Sequence, residues 1–168
     1  MSTSERLLLI LHIGFAVFTL GPLTAATMAT PRYIRRRDPR VLHYLNRATR
    51  IYGLSALGIF LFGLLLARGR FDEMWLSVSM TLFVVALALL AIVERDQRKA
   101  IHRVEVGAAE DRTAAAEEAA RPRHEEDEEQ PAARHEEVAQ VERGRIAAIS
   151  GVIALLWLVI LTLMVWYG

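Results

Sequence analysis

His12 is the residue in this chain whose setting most invites chemistry. It lies within Leu7–Thr30, LLLILHIGFAVFTLGPLTAATMAT, a run free of carboxylate, lysine and arginine. An ionisable side chain inside an apolar run of membrane length is a candidate functional group by default. On a helical wheel Thr19 and Thr30 fall within about 20° of His12, so the three form a sparse polar stripe. Three roles suit such a histidine. It can ligate a haem or a metal, carry a proton, or stay neutral and hydrogen-bond a threonine or a carbonyl of another helix. The other three apolar runs hold no second histidine, so a bis-histidine haem has no partner ligand. The sulfur ligands on offer are Met28, Met80 and Met164. By the 1.5 Å rise His12 sits roughly 8 Å inside its run, a depth that Met80 shares.

The elements that position these residues follow from the segregation of charge. The chain has 168 residues, 54% in the hydrophobic set and 23% charged. The two classes occupy different blocks, which marks a membrane protein. Four runs qualify as spans: about 7–30, 51–67, 74–93 and 146–167. Backbone groups in lipid must be bonded internally, so each run is a helix. The first run lacks a net positive leader and an A-x-A site, and reads as a retained helix rather than a signal peptide. Pro31 is expected to end it, and Pro22 to kink it by leaving a carbonyl near Phe18 unpaired. Asp38-Pro39 reads as an N-cap followed by proline at the first helical position, so the second helix starts well before its apolar run. Val41, Leu45, Ala48 and Tyr52 share one face of that extension. Asp72 is a candidate cap for the third helix, and the six residues 68–73 make helices two and three antiparallel neighbours.

Orientation comes from counting basic residues. Residues 32–50 carry seven arginines against one aspartate. Arg95, Arg98, Lys99, Arg103, Arg143 and Arg145 lie on the same side, and Arg6, Arg68 and Arg70 on the other. The positive-inside rule places both termini outside and both long connections in the cytoplasm. Trp75, Trp166 and Tyr167 then form an aromatic belt at the outer interface. The expected fold is an all-α bundle of four transmembrane helices, N-out and C-out, in a single membrane domain. A charged insert at 108–133 interrupts it. In the 94–145 connection Gly107 ends a helical extension, Glu94 is exposed, and the centre near 121–132 is too polar to hold a fold. A helix resumes near Ala133.

The remaining candidates have plainer roles. Arg32, Arg35, Arg36, Arg37, Arg40, Arg47 and Arg50 form a stripe suited to anionic lipid headgroups, each worth about 1 kcal/mol near the surface. Nucleic acid is not needed to explain them. His43 faces the headgroups, while His102, His124 and His135 are too dispersed for a metal site. The run Glu125–Glu129 is a solvated spacer without calcium-loop spacing. There is no cysteine, which excludes disulfides and thiolate chemistry. No hydrolase, zinc-protease or phosphate-loop motif occurs, and no catalytic residue is assigned. Small residues at Gly21/Ala25/Ala29, Gly63/Ala67 and Ala147/Gly151 offer close-packing faces, within the bundle or to a partner.

Leu11-His12-Ile13, Gly21-Pro22, the arginine cluster with Asp38-Pro39, and Gly63-Leu64-Leu65-Leu66 together resemble a bacterial family of small four-helix integral membrane proteins of unknown function. The resemblance covers roughly residues 7–95 and the last span, and implies the bacterial plasma membrane. The chain is also distantly similar to copper-resistance-D-like and protoporphyrinogen-oxidase-like membrane proteins. In the latter a first-helix histidine ligates haem, which would carry over to His12 alone. The leading expectation is a non-enzymatic accessory, assembly or structural subunit with no cofactor, paired with a membrane protein or with itself. The alternatives are a haem- or copper-binding redox or metal-handling protein centred on His12, and a small permease or channel lined by His12, Thr19 and Thr30.

Overall fold

The computed structural model describes the backbone of residues 3–67, 69, 72–120 and 131–167, and the side chains of these residues except 118–142. Four helices follow in order: α1 (Thr3–Arg35), α2 (Pro39–Ala67), α3 (Met74–Ala120) and α4 (Pro131–Tyr167). All four are long and apolar enough to cross a bilayer, which defines a multi-pass helical bundle. Each helix packs on its neighbours in the chain, and α4 returns against α1, so the four form a ring. At 1.5 Å per residue the 47 residues of α3 extend about 70 Å, more than twice a hydrocarbon core. α3 and α4 therefore project together beyond the arginine-rich end.

The junction between α1 and α2 is built by local hydrogen bonds. The Arg37 N–H donates to the Ile34 carbonyl at 3.1 Å and the Asp38 N–H to the Tyr33 carbonyl at 3.3 Å. Arg37 is left-handed, with φ 48°. This is a Schellman stop in which arginine stands where glycine is usual. The next residue starts the following helix: Asp38 Oδ1 accepts from the Val41 N–H at 3.2 Å, and Pro39 occupies the first helical position. Sequence and structure agree at this cap.

Other expected boundaries move. Pro31 does not end α1, which continues to Arg35 through both Pro22 and Pro31. A proline removes one backbone bond, and the turns on either side keep theirs. Gly107 does not end α3, which continues to Ala120. One mid-helix glycine costs about 1 kcal/mol relative to alanine, and the alanine- and glutamate-rich residues beyond it favour helix. At the start of α3 the Glu73 carbonyl accepts from the Leu76 and Ser77 N–H groups, so the capping position is Glu73 and not Asp72. Glu73 Oε2 also accepts from Trp75 Nε1 at 2.6 Å. The segment expected to be unstructured at 121–132 lies outside the described residues, apart from Pro131 and Ala132, which open α4.

The core has two parts. An apolar layer holds Leu23, Ala56, Ile59, Phe83, Ala86 and Leu90 with Ile153, Trp157 and Ile160. Phe83 sits edge-on to Trp157 with centroids 4.9 Å apart and tilted against Phe60 at 5.6 Å. Lipid gives no hydrophobic drive for helices to associate, so this interlocking contact must supply it. Toward the arginine-rich end the core turns polar. Gln97 of α3 is buried. Its Nε2 donates to Thr30 Oγ1 of α1 at 2.7 Å and to Thr49 Oγ1 of α2 at 3.2 Å. Its Oε1 accepts from Asn46 Nδ2 at 3.3 Å. The Asn46 amide also reaches the Glu94 carbonyl at 3.3 Å, and the Thr30 hydroxyl donates to the Ala26 carbonyl at 2.9 Å. One amide thereby joins three helices with both N–H groups and its oxygen in use.

An ion pair joins the fourth helix. Arg145 of α4 donates from Nε to Asp96 Oδ2 at 2.9 Å and from an N–H2 nitrogen to Oδ1 at 2.5 Å, a bidentate pair. The Asp96 side chain is 3% exposed and that of Arg145 is 55% exposed. Glu94, expected to be exposed, is 16% exposed and pairs with Arg98 at 2.5 Å. The buried face of early α2 is Leu42, Leu45 and Thr49, with Val41 and Ala48 at its edge. The face is rotated from the apolar expectation because Gln97 draws Thr49 inward.

Two substitutions separate these contributions. Gln97→Leu removes a hydrogen-bond partner from buried Thr30 and Thr49 and from half-buried Asn46, and should destabilise the bundle by about 2 kcal/mol. Arg145→Ala leaves the Asp96 carboxylate buried without its guanidinium. It should cost about 1–3 kcal/mol, below the range for fully buried pairs because Arg145 is half exposed. Thermal unfolding in mild detergent, followed by circular dichroism, measures both.

Candidate functional site

The structure sets His12 against α2. Its Nδ1 lies 2.9 Å from the Ile59 carbonyl. A carbonyl can only accept, so Nδ1 carries the proton and neutral His12 keeps Nε2 as a bare acceptor. The ring can come this close because α2 offers glycine. A Cβ placed on Gly63 would meet His12 Cε1 at 3.0 Å. Five residues earlier, a Cβ on Gly58 would meet the Phe15 ring at 2.8 Å. Phe15 also packs on Phe62 with centroids 5.2 Å apart. The small residues of α2 thus receive the large rings of α1.

Beside His12 lies a cavity of about 100 Å³ lined from all four helices. Phe60 and Gly63 contribute from α2, Ser79, Met80 and Phe83 from α3, and Trp157 and Met164 from α4. Most of the lining is apolar. Two of its side chains are nonetheless polar, buried and unpartnered: Ser79 Oγ and Trp157 Nε1 make no hydrogen bond, with Ser79 1% and Trp157 7% exposed. Both atoms lack accessible surface of their own, so they are packed within the wall rather than turned into the cavity. Ser150 Oγ is a third orphan, away from this lining.

The polar stripe read from the sequence is divided. His12 lines the cavity. Thr19 is buried but does not line it, and Thr30 belongs to the Gln97 cluster. Met80 and Met164 share the cavity with His12, whereas Met28 is 54% exposed. The residues that sequence reasoning missed are Ser79 and Trp157, which look like ordinary span residues, and Gly58. Only the wheel position of Trp157, four residues from the buried Ile153 and three from the buried Ile160, marks it as inward-facing rather than interfacial.

The arginine stripe is a surface feature: all seven of its arginines are exposed. Arg36 lies over the Tyr33 ring at 5.7 Å. Arg37 approaches Asp111 of α3 at 3.7 Å, and His43 Nε2 meets Glu105 Oε1 at 2.8 Å. These pairs tie the α1–α2 junction to the projecting part of α3. Gly21 has open space around it, and Gly21 and Ala25 are exposed, so that small-residue ladder faces away from the bundle.

The cavity tests the cofactors that the residues suggest. An engineered cavity of about 150 Å³ holds benzene, so about 100 Å³ suits at most one ring or an ion. A haem is several rings wide and does not fit, and no other histidine lines the cavity. His12, Met80 and Met164 put one imidazole and two thioethers on the cavity lining, donor types that soft metal ions take. Among the described residues no three histidine, aspartate or glutamate side chains converge as a metal site.

The fold and site define the chain as a multi-pass helical membrane bundle with a mostly apolar cavity between its helices. Compared with protein-family models, with curated proteins and with solved structures, the chain matches none of them.

Gly63→Ala should crowd the imidazole and weaken its bond to Ile59, at a cost of about 1–3 kcal/mol. In the His12→Ala background the same change should cost far less. A double-mutant cycle on thermal stability measures the coupling.

Proposed function

We propose that this chain is a non-enzymatic protein of the bacterial plasma membrane that holds a small guest between its helices, as an accessory or assembly subunit of a membrane system. The observation behind this reading is the His12 cavity, lined from all four helices by one imidazole and a mostly apolar wall. In this reading both termini lie outside and the projecting ends of α3 and α4 lie in the cytoplasm, in keeping with the arginine-rich end. Anionic lipid neutralises the exposed arginines there.

A second reading rests on Met80 and Met164. Thioethers and an imidazole select Cu(I) over harder ions. The Nδ1–H bond to Ile59 is the kind of second contact that orients a ligating histidine. The metal would supply redox or transfer chemistry, and His12, Met80 and Met164 would hold it.

Three measurements test these readings. A small aromatic guest such as benzene should raise the melting temperature of the purified protein, and Ala16→Leu, which fills the cavity, should abolish the rise. No rise in the parent protein would remove the guest-binding reading. Under reducing conditions the copper reading expects one bound equivalent, lost in Met80→Leu; a protein that stays metal-free would reject it. For topology, the chain has no cysteine, so single cysteines at Gly69 and Gly107 report cleanly. An impermeant thiol reagent should label the first from outside and the second only after the membrane is opened.

A further inference from the structure

The end of α3 that projects beyond the bundle lies against a surface of opposite charge. Val104 is the last side chain of α3 that packs on the apolar core, and none of residues 105–117 is buried. At 1.5 Å per residue this arm is about 20 Å long. It carries Glu105, Glu110, Asp111 and Glu117 against Arg112. The α1–α2 junction and early α2 expose Arg35, Arg36, Arg37, Arg40, Arg47 and Arg50 around Asp38. Two contacts join arm and junction. His43 Nε2 donates to Glu105 Oε1 at 2.8 Å, and Arg37 faces Asp111 Oδ2 at 3.7 Å. All four side chains are about half exposed or more. Gly107 lies between the two contacts with open space around it.

We propose that residues 105–117 form a strap held on the α1–α2 junction by charge, and that an anionic lipid surface displaces it by taking the junction's arginines. This rests on the reading that sets the arginine-rich end at the anionic cytoplasmic leaflet. Arg37 follows Thr30, the end of the first apolar run, by roughly 10 Å of helix, about one screening length. Exposed ion pairs contribute little, because water screens them and two side chains must be held in place. An arginine near an anionic leaflet gains more, and the leaflet attracts all the junction's arginines while repelling the strap's carboxylates. A charged leaflet therefore outcompetes the strap, whereas neutral lipid offers the arginines no rival partner. Release breaks no buried contact. Val93, Ala100 and Ile101 keep α3 in the core, and Asp96 and Gln97 keep their bonds to the other helices. Gly107 gives the arm a soft point at which to bend.

The chain has no cysteine, so spin labels on Tyr44→Cys and Val106→Cys, exposed neighbours of the His43–Glu105 pair, report the strap by pulsed electron resonance. In phosphatidylcholine nanodiscs the labels should give one short distance. In phosphatidylglycerol nanodiscs the population at that distance should fall roughly fivefold. Glu105→Ala with Asp111→Ala should lower it similarly in phosphatidylcholine, with the thermal stability of the bundle unchanged. A short distance that persists in phosphatidylglycerol would overturn displacement by lipid. One that survives the double substitution would overturn the strap, as would a broad distribution for the parent protein in phosphatidylcholine. A nanodisc presents the same lipid on both faces, so these outcomes do not depend on which end is cytoplasmic. Thiol labelling at Gly69 and Gly107 decides that separately.

Discussion

Gln97 is the contact on which the polar half of the bundle depends. Its amide reaches α1 and α2 through Thr30 and Thr49, and its neighbour Asp96 reaches α4 through Arg145. Two consecutive residues of α3 thus hold all three other helices. Inside a membrane bundle a polar group either finds a protein partner or destabilises the fold, so such a cluster specifies one arrangement more sharply than apolar packing does. The apolar half relies on shape instead, with aromatic rings set against one another and into glycine-lined gaps.

This division explains what could be read from the chain. The four spans and the Asp38-Pro39 start of α2 were legible because each depends on neighbours close in sequence. The Gln97 cluster was not, since its bonds bridge 67 and 48 positions and lie in a stretch that composition marks as solvated. The signal was there as periodicity: Val93, Asp96, Gln97, Ala100 and Ile101 are all buried at helical spacing, so the inward stripe of α3 continues through the charged segment. Pro31 and Gly107 misled for the opposite reason. Each is a local helix breaker, and in a long helix the turns around it outweigh one lost bond or one flexible residue.

For the candidate site, His12 was legible as a polar group in an apolar run, and its likeness in depth to Met80 placed the two at one level. Ser79 and Trp157 were not legible. A serine and a tryptophan in a membrane helix suit a lipid face, an interface or a packed core equally well. Only the three-dimensional arrangement shows that both are buried on one cavity without partners.

The fit of His12 and Phe15 against Gly63 and Gly58 has a mechanical meaning. Two rings on one helix enter two gaps on the next, like teeth in a rack. A continuous slide of α1 along α2 would drive each ring into a side chain, so the pair can change register only in whole steps. The first hairpin is therefore held in one register by the shape of its own side chains.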